Sequence, residues 1–135
     1  MALFDWKESY SVNIKEIDNQ HKMLVSTLNE LYEAMRTRQA KEIIDGILKS
    51  MSDYAGFHFS TEEALLKKHF YPEFTQHKKE HEAFVKKVSD FIEKHKAGSL
   101  MLSMEVMNFL KDWLKSHIMG VDKKYSPFLN QKGVV

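Results

Sequence analysis

The sequence predicts an all-α protein, an antiparallel four-helix bundle whose helices run up, down, up and down. Four stretches carry apolar residues at alternating spacings of three and four, which is the period of a helix with one buried face. Only a few residues separate these stretches, and the chain has just two prolines, Pro72 and Pro127, to interrupt them. Helices joined so closely are expected to pack side by side and antiparallel.

At 135 residues, the chain has the length of one domain with a single core. We expect an extended N-terminal arm over residues 1–16, the bundle over 17–126 and a C-terminal tail over 127–135. The arm carries Phe4, Trp6 and Tyr10, and we expect it to lie across the helices.

The first two helices each follow one apolar stripe. In the first, Asp18 is the expected N-cap, and the stripe comprises Ile17, His21, Leu24, Leu28, Leu31 and Met35. The second should end before Pro72, because the residue that precedes a proline avoids helical angles. Its stripe comprises Ile47, Met51, Tyr54, His58, Glu62 and Leu65.

The third helix should begin at or just after Pro72, which suits the first helical position, and should stop at Gly98. Its stripe comprises His77, His81, Phe84, Val88, Phe91 and His95. The fourth should finish by about Ser126, because Pro127 cannot continue the backbone ladder. Its stripe comprises Val106, Leu110, Trp113, Leu114, His117 and Ile118.

Composition excludes several classes of function. The absence of cysteine excludes disulfides, thiolate metal sites, iron–sulfur clusters and a cysteine nucleophile. The net charge is +1 with Lys and Glu interleaved, which indicates neither a nucleic-acid partner nor a membrane-binding face. We see no apolar run of membrane-spanning length and no export signal, so we expect a cytoplasmic protein.

Polar residues occupy six positions where the helical pattern calls for apolar ones. A buried glutamate is almost always paired or bound to a metal. One such histidine is more often a hydrogen-bonded core residue than a ligand. Five on the inward faces of four consecutive helices, together with a carboxylate, indicate a metal site instead. The six are His21, His58, Glu62, His77, His81 and His117.

The spacing of these residues favours chelation. His58 and Glu62 are four residues apart, as are His77 and His81, and four residues turn a helix by about 400°, so each pair shares one face. The first pair lies near the end of the second helix and the other near the start of the third, so antiparallel packing brings both to one level. The other two histidines lie at the matching ends of the first and fourth helices.

Asp122 completes the candidate set less regularly. It follows His117 by five residues, which on an ideal helix places it roughly 140° off the shared face. For both to bind a metal, the helix must widen or unwind between them, and Gly120 makes such a distortion easier. The alternative is an acid on the solvated surface. Two metals, however, need carboxylates to bridge them, and Asp122 is the other acid within reach.

Five imidazoles and two carboxylates suit zinc, copper, nickel or iron, and seven ligands are too many for one metal but fit two. If both carboxylates bridge, one metal takes three histidines, and the other takes two and keeps a position open. His69 and His95 lie too far along their helices to join the set. Met101, Met104 and Met107 are expected to fill the core rather than bind copper.

The stretch His58-Phe59-Ser60-Thr61-Glu62-Glu63, followed by Leu66, Tyr71, His77 and His81, resembles the signature of the hemerythrin family at every position. The segments IDNQH around His21 and WLKSHIMGVDKKY around Asp122 resemble its flanking motifs. The resemblance extends from the N-terminal arm to about Phe128, and it is greatest to the single-domain bacterial members.

The resemblance implies a cofactor and roles for individual residues. The cofactor would be two iron ions, Fe2+ or Fe3+, with a bridging oxo or hydroxo group, and O2 would bind at the iron with fewer histidines. Leu114 resembles the apolar residue that crowds the family's oxygen pocket, and Trp113 and Ile17 are expected to line the same pocket. The implied ligands are His77, His81 and His117 for one iron, His21 and His58 for the other, and Glu62 and Asp122 for both.

Reversible oxygen binding, as a carrier or store, is therefore the expected function, and we do not expect an enzyme. The alternative is an oxygen or redox sensor that acts through movement of the N-terminal arm. A di-iron oxidase or peroxidase, or a two-zinc hydrolase, ranks third, because no general acid or base is visible beyond the ligands. The expected partners are O2 and either an oxygen-consuming enzyme or a signalling protein.

Overall fold

The structure is a computed structural model that describes residues 4–98 and 101–135. Its helices are α1 (Lys15–Arg36), α2 (Ala40–Lys68), α3 (Phe74–Lys96), α4 (Leu102–Trp113) and α5 (Lys123–Gln131). A π-helical segment, Leu114–Asp122, joins α4 to α5 without a break, and we call it the π segment. Within the described ranges there is no strand, and the all-α prediction is confirmed.

The helices form the bundle that the sequence predicted. Helices α1 and α3 each pack against both α2 and α4, so neighbours contact one another around a ring. The connections at 37–39, 69–73 and 97–101 are too short to cross the bundle, so consecutive helices are antiparallel. None of the helices described is both long enough and apolar enough to cross a membrane.

The N-terminal arm contacts α1 but is not fully extended. The backbone N–H of Phe4 donates to the Asn29 side-chain oxygen at 2.8 Å, and the Phe4 carbonyl accepts from the Asn29 amide at 2.7 Å. One turn of 3₁₀ helix, Glu8–Tyr10, then shortens the arm. The prediction of an extended arm is not confirmed, and its first three residues lie outside the described ranges.

Helix α1 begins earlier than predicted. Its N-cap is Ile14, and Asp18 lies inside the first turn, so the prediction of Asp18 as N-cap is wrong. The Asp18 carboxylate instead accepts the backbone N–H of Val12 at 2.8 Å and the hydroxyl of Ser11. Asp18 therefore fixes the incoming arm against the start of α1.

Helix α5 continues through Pro127 to Gln131, so the predicted end near Ser126 is wrong. A proline inside a helix costs about 3 kcal/mol. Here the helix buries Tyr125 and Leu129 on either side of the proline, and the apolar surface removed from water offsets that cost. The Ser126 hydroxyl also donates to the Val12 carbonyl and so holds α5 against the arm.

Other boundaries agree with the sequence. Helix α2 ends at Lys68, before Pro72, and α3 ends at Lys96 with Gly98 just beyond it at a φ of 77°. A positive φ costs glycine little, which explains its place at this helix end.

The methionines near the start of α4 differ from expectation. Met101 and Met104 are exposed, so the prediction that they fill the core is wrong, whereas Met107 packs against it. Helix α4 begins only at Leu102, and its buried stripe starts with that residue rather than with the methionines.

Two apolar clusters divide the interior along the bundle. The main core includes Leu24, Leu28, Leu31, Met51, Phe59, Phe84, Phe91, Val106, Leu110 and Leu114. The end cluster comprises Val12, Ile14, Ile17, Leu66, Tyr71, Tyr125 and Leu129. Along α1, His21 lies between Ile17 of the end cluster and Leu24 of the main core; along α2, Glu62 lies between Phe59 of the main core and Leu66 of the end cluster. The polar site is therefore enclosed by apolar side chains on both sides.

Candidate metal centre

The structure brings together all seven side chains that the sequence singled out. Each is at most 2% exposed. One comes from α1, two from α2, two from α3 and two from the π segment, so every wall of the bundle contributes. The seven are His21, His58, Glu62, His77, His81, His117 and Asp122.

Their donor atoms form two groups that share both carboxylates. Within each group, every residue offers one atom that lies within 4.8 Å of the atoms offered by the others. The three-histidine group is Glu62, Asp122, His77, His81 and His117, and the two-histidine group is Glu62, Asp122, His21 and His58. This arrangement fits two neighbouring metal ions with shared carboxylates.

The two oxygens of Glu62 face different groups. Its Oε1 lies 3.0 Å from His81 Nε2 and 3.4 Å from His77 Nε2, both in the three-histidine group. Its Oε2 lies 3.4 Å from His58 Nε2 and 3.8 Å from His21 Nε2, in the two-histidine group. A carboxylate that presents one oxygen to each group is placed to bridge two metals.

Asp122 repeats this arrangement. Its Oδ1 lies 2.9 Å from His117 Nε2 and 3.0 Å from His77 Nε2. Its Oδ2 lies 3.0 Å from His21 Nε2. Asp122 is fully buried, so the alternative of a solvated surface acid is excluded.

Asp122 reaches the site because the helix widens where the sequence required it. The π segment closes its backbone hydrogen bonds over five residues rather than four, so His117 and Asp122 fall on one face. The predicted widening is confirmed. Gly120 is not needed for room, because a Cβ added there would meet only the Lys115 carbonyl oxygen, at an ordinary 3.9 Å.

Burial and charge act in opposite directions on the histidines. Burial alone would lower the pKa values of His21 and His77, but the close, charged carboxylates of Asp122 and Glu62 outweigh it. These interactions raise the pKa of His21 to about 9 and that of His77 to about 10. At His58 burial dominates and lowers the pKa. The environment thus differs from one imidazole to the next.

The two carboxylates remain charged despite their burial. Burial would raise the pKa values of Glu62 and Asp122, but the imidazoles around them hold both values below the usual range. Charged carboxylates are the form that binds metal ions.

Several buried polar atoms of the site have no hydrogen-bond partner in the part of the chain that the structure describes. They include Nε2 of His21, His58, His81 and His117 and both oxygens of Asp122. Each unmet buried group costs about 1–3 kcal/mol. Metal ions at the centre of the two groups would satisfy these atoms, and imidazole with carboxylate suits iron. The residues present therefore fit a two-metal centre.

Two glutamates that sequence reasoning missed hold ligands of the three-histidine group. The Nδ1–H of His81 donates to Glu63 at 2.9 Å, and that of His117 donates to Glu80 at 3.1 Å. These bonds fix the tautomer of each ring, so that Nε2 faces inward with a free lone pair.

A neutral amide has the same role in the two-histidine group. The Nδ1–H of His58 donates to the side-chain oxygen of Gln20 at 2.5 Å, and the Gln20 amide donates to the Thr61 hydroxyl at 3.4 Å. His21 differs, because its Nδ1 is buried without a partner among the described residues.

Tyr125 was also missed, although it ends one of the motifs noted above. Its fully buried hydroxyl donates to Oε2 of Glu62. Burial and the nearby charges of Glu62 and Asp122 raise the pKa of Tyr125 well above its usual value, so it stays protonated and donates.

Three imidazoles of the site also stack on aromatic rings. The pairs, with the distances between ring centroids, are Tyr54–His58 at 4.8 Å, Phe59–His81 at 3.8 Å and Trp113–His117 at 4.0 Å. The rings limit rotation of the three imidazoles and keep water away from their stacked faces.

The predicted oxygen-pocket residues lie in different surroundings. Leu114 belongs to the main core and Ile17 to the end cluster, and both are buried. Trp113 is also buried and stacks on His117, in the three-histidine group. The pocket itself stays a prediction. His69 and His95 fall outside both groups, as expected.

Comparison with known proteins agrees with this geometry. The hemerythrin family, described as the hemerythrin HHE cation binding domain, matches residues 12–129. A bacteriohemerythrin of Methylococcus capsulatus is 34% identical over 131 residues, which cover 96% of this chain and 99% of that protein. A myohemerythrin of Theromyzon tessulatum is 30% identical over 122 residues, which cover 90% of each chain.

Solved structures agree as well. A wild-type hemerythrin superposes with a TM-score of 0.84 at 33% identity, covering 95% of this chain and 98% of that one. A leucine-to-alanine variant of hemerythrin gives a TM-score of 0.85 at 33% identity, covering 96% of this chain and 98% of that one. In such a domain, the buried imidazoles and carboxylates imply a non-haem iron centre. The chain belongs to the hemerythrin family.

Proposed function

We propose that this chain binds molecular oxygen reversibly, as a carrier or store, at a centre of two iron ions. The observation that carries the proposal is the sharing of Glu62 and Asp122 between the three-histidine and two-histidine groups. The hemerythrins to which the chain is related are oxygen carriers rather than enzymes. These relatives do not favour the alternative of a sensor.

We assign one iron to the three-histidine group and one to the two-histidine group, with both carboxylates and an oxo or hydroxo group between them. When bound, the irons supply the electrons and the coordination position that oxygen binding requires. The ligands are His77, His81 and His117 on one side, His21 and His58 on the other, and Glu62 and Asp122 in common.

The unequal number of donors determines where an exogenous molecule can bind. The chain offers five donor residues around one position and four around the other, so the two-histidine side has room for a further ligand. Most of the donors are imidazoles, which bind a metal in their neutral form and stabilise high oxidation states of iron less than carboxylates do. This donor set favours reversible binding of O2 over its cleavage.

Apolar side chains would protect the centre from bulk water. Leu114 and Ile17 are 1% and 0% exposed, and they lie on opposite sides of the site. We propose that Leu114, Ile17 and Trp113 line the oxygen pocket and so slow the oxidation of the oxygenated form.

The experiment that tests the function is a spectrum followed through cycles of air and vacuum, together with metal analysis. Metal analysis should return two irons per chain. The reduced protein should be nearly colourless, become coloured in air and fade when oxygen is removed. Two zincs per chain would favour a hydrolase instead, and colour that persists after oxygen removal would favour an oxidase.

A matched pair of variants tests the ligand set. Asp122→Asn should lower the iron content below two per chain, because an amide bridges metals poorly. Asp112→Asn removes the same charge from an exposed position ten residues earlier and should keep both irons. Equal iron content in the two variants would refute the assignment of Asp122.

A further inference from the structure

The residues that hold the histidines in place differ in charge between the two groups. In the three-histidine group, His81 and His117 each donate Nδ1–H to a carboxylate, that of Glu63 or Glu80. Both carboxylates are partly exposed, with 25% and 31% of the side chain accessible, so water solvates their outer oxygens. Two of the three imidazoles in this group thus have an anionic partner.

In the two-histidine group, no carboxylate of the described residues accepts the outer N–H of a histidine. His58 donates to the amide oxygen of Gln20, which is buried and bonded in turn to Thr61. His21 has no partner for Nδ1 in the part of the chain that the structure describes. The two groups therefore differ in the charge of the residues that accept hydrogen bonds from the histidines, as well as in the number of histidines.

We infer that Glu63 and Glu80 make the three-histidine position the tighter of the two metal sites. A carboxylate that accepts the outer N–H of an imidazole makes the inward nitrogen a better donor, and an amide does so less because it is neutral. Loss of such a partner typically lowers metal affinity about 10–100-fold. The inference rests on the proposed ligand set. Glu63 and Glu80 are positioning residues, because they act through His81 and His117.

The test uses the full chain loaded with Co2+, whose visible spectrum reports binding. Competition with a chelator should release the two ions in two steps, the tighter one last. Glu63→Gln and Glu80→Gln keep the shape and an acceptor oxygen but remove the charge. Each should weaken the tighter step about 10-fold or more and leave the weaker step unchanged, while circular dichroism shows an unchanged helix content.

Two further variants separate this effect from general electrostatics and from misfolding. Glu82→Gln removes a charge from an exposed residue next to His81 and should change neither step. Gln20→Glu places a carboxylate behind His58 and should tighten the weaker step, a gain that a merely structural role does not produce.

The outcomes are distinct. Unchanged tighter binding in both Glu63→Gln and Glu80→Gln, or an equal loss in Glu82→Gln, would overturn the inference alone. Failure of the wild-type chain to bind two Co2+ ions would overturn the proposed ligand set as well.

Discussion

The main core and the metal end differ in how regular their helices are. The metal end is the part of the bundle that contains the candidate metal centre, the π segment, α5 and the end cluster. In the main core, α1 to α4 keep regular helical geometry, and the buried side chains are apolar. At the metal end, the fourth helix widens into the π segment, α5 contains Pro127, and the arm is held by Asp18. Each departure from regularity lies around the buried polar site.

The difference shows where each end obtains its stability. Apolar side chains in the main core satisfy one another by packing. At the metal end, several buried nitrogens and oxygens have no hydrogen-bond partner among residues 4–98 and 101–135, so that end depends on what it binds. The end cluster closes the site from the side opposite the main core and holds it between two apolar layers.

Removing the metal should give the largest effect and should separate the two ends. If each ion is present at 1,000 times its Kd, binding contributes about 4.1 kcal/mol per ion, or roughly 8 kcal/mol in all. Chelation should lower the free energy of unfolding by about that amount in denaturant titrations. Hydrogen exchange should rise around the π segment and the end cluster more than around the main core. A uniform rise along the bundle would contradict the division.

Phe91→Ala should give the next largest effect, confined to the main core. Phe91 is fully buried, and its truncation should cost about 3–5 kcal/mol in the free energy of unfolding. Because Phe91 is distant in sequence from every ligand, the variant should still bind two irons with an unchanged spectrum. Phe57→Ala, at a side chain that is 61% exposed, is the control and should change stability little. Loss of iron from Phe91→Ala would show that the ends are not independent.

The same division separates what the sequence could predict from what it could not. The helices, the topology and six of the seven site residues followed from apolar periodicity, because a polar residue in an apolar stripe is conspicuous. Asp122 followed instead from the need for a second bridging carboxylate. The boundary at Asp18 and the end of α5 did not, because long-range contacts with Val12, Tyr125 and Leu129 override the local capping and proline rules there.

The residues that accept hydrogen bonds from the ligand histidines were not predicted, for a different reason. Gln20, Glu63 and Glu80 each lie beside a ligand in sequence, about 100° off the inward face of the helix, where a polar residue is ordinary. Each holds a ligand of the following helix in the chain rather than of its own. Only the packing of neighbouring helices reveals such a pairing. The polar residue directly beside His21, Glu62 and His81 is the sequence signal that would have suggested it.

Leu114→Ala changes a residue that belongs to the main core and also begins the π segment, so it should affect both ends. The loss of a buried leucine should cost about 2–5 kcal/mol in stability. If Leu114 lines the oxygen pocket, water also enters and the oxygenated form should oxidise faster, which absorbance in air will show. Leu110→Ala, one turn earlier and equally buried, is the matched control with a similar loss of stability and unchanged oxidation. Equal oxidation rates would remove Leu114 from the pocket.

Tyr125→Phe should give the smallest effect and tests whether the end cluster contributes more than packing. A hydrogen bond to a charged group is worth about 1.5–3 kcal/mol, so we expect a loss of that size with the fold and both irons retained. The depressed pKa of Glu62 means that its stabilising effect is lost as the pH falls through that value. Without the hydroxyl, the charged form of Glu62 is less favoured and its pKa rises, so iron should be lost at a higher pH.

The control for this variant is Tyr71→Phe, whose hydroxyl donates to the exposed Glu73 at 3.3 Å instead of to a ligand. Iron release measured against pH should be unchanged in that protein. If the two variants lose iron at the same pH, the Tyr125 hydroxyl does not support Glu62, and the end cluster acts on the metal centre through packing alone.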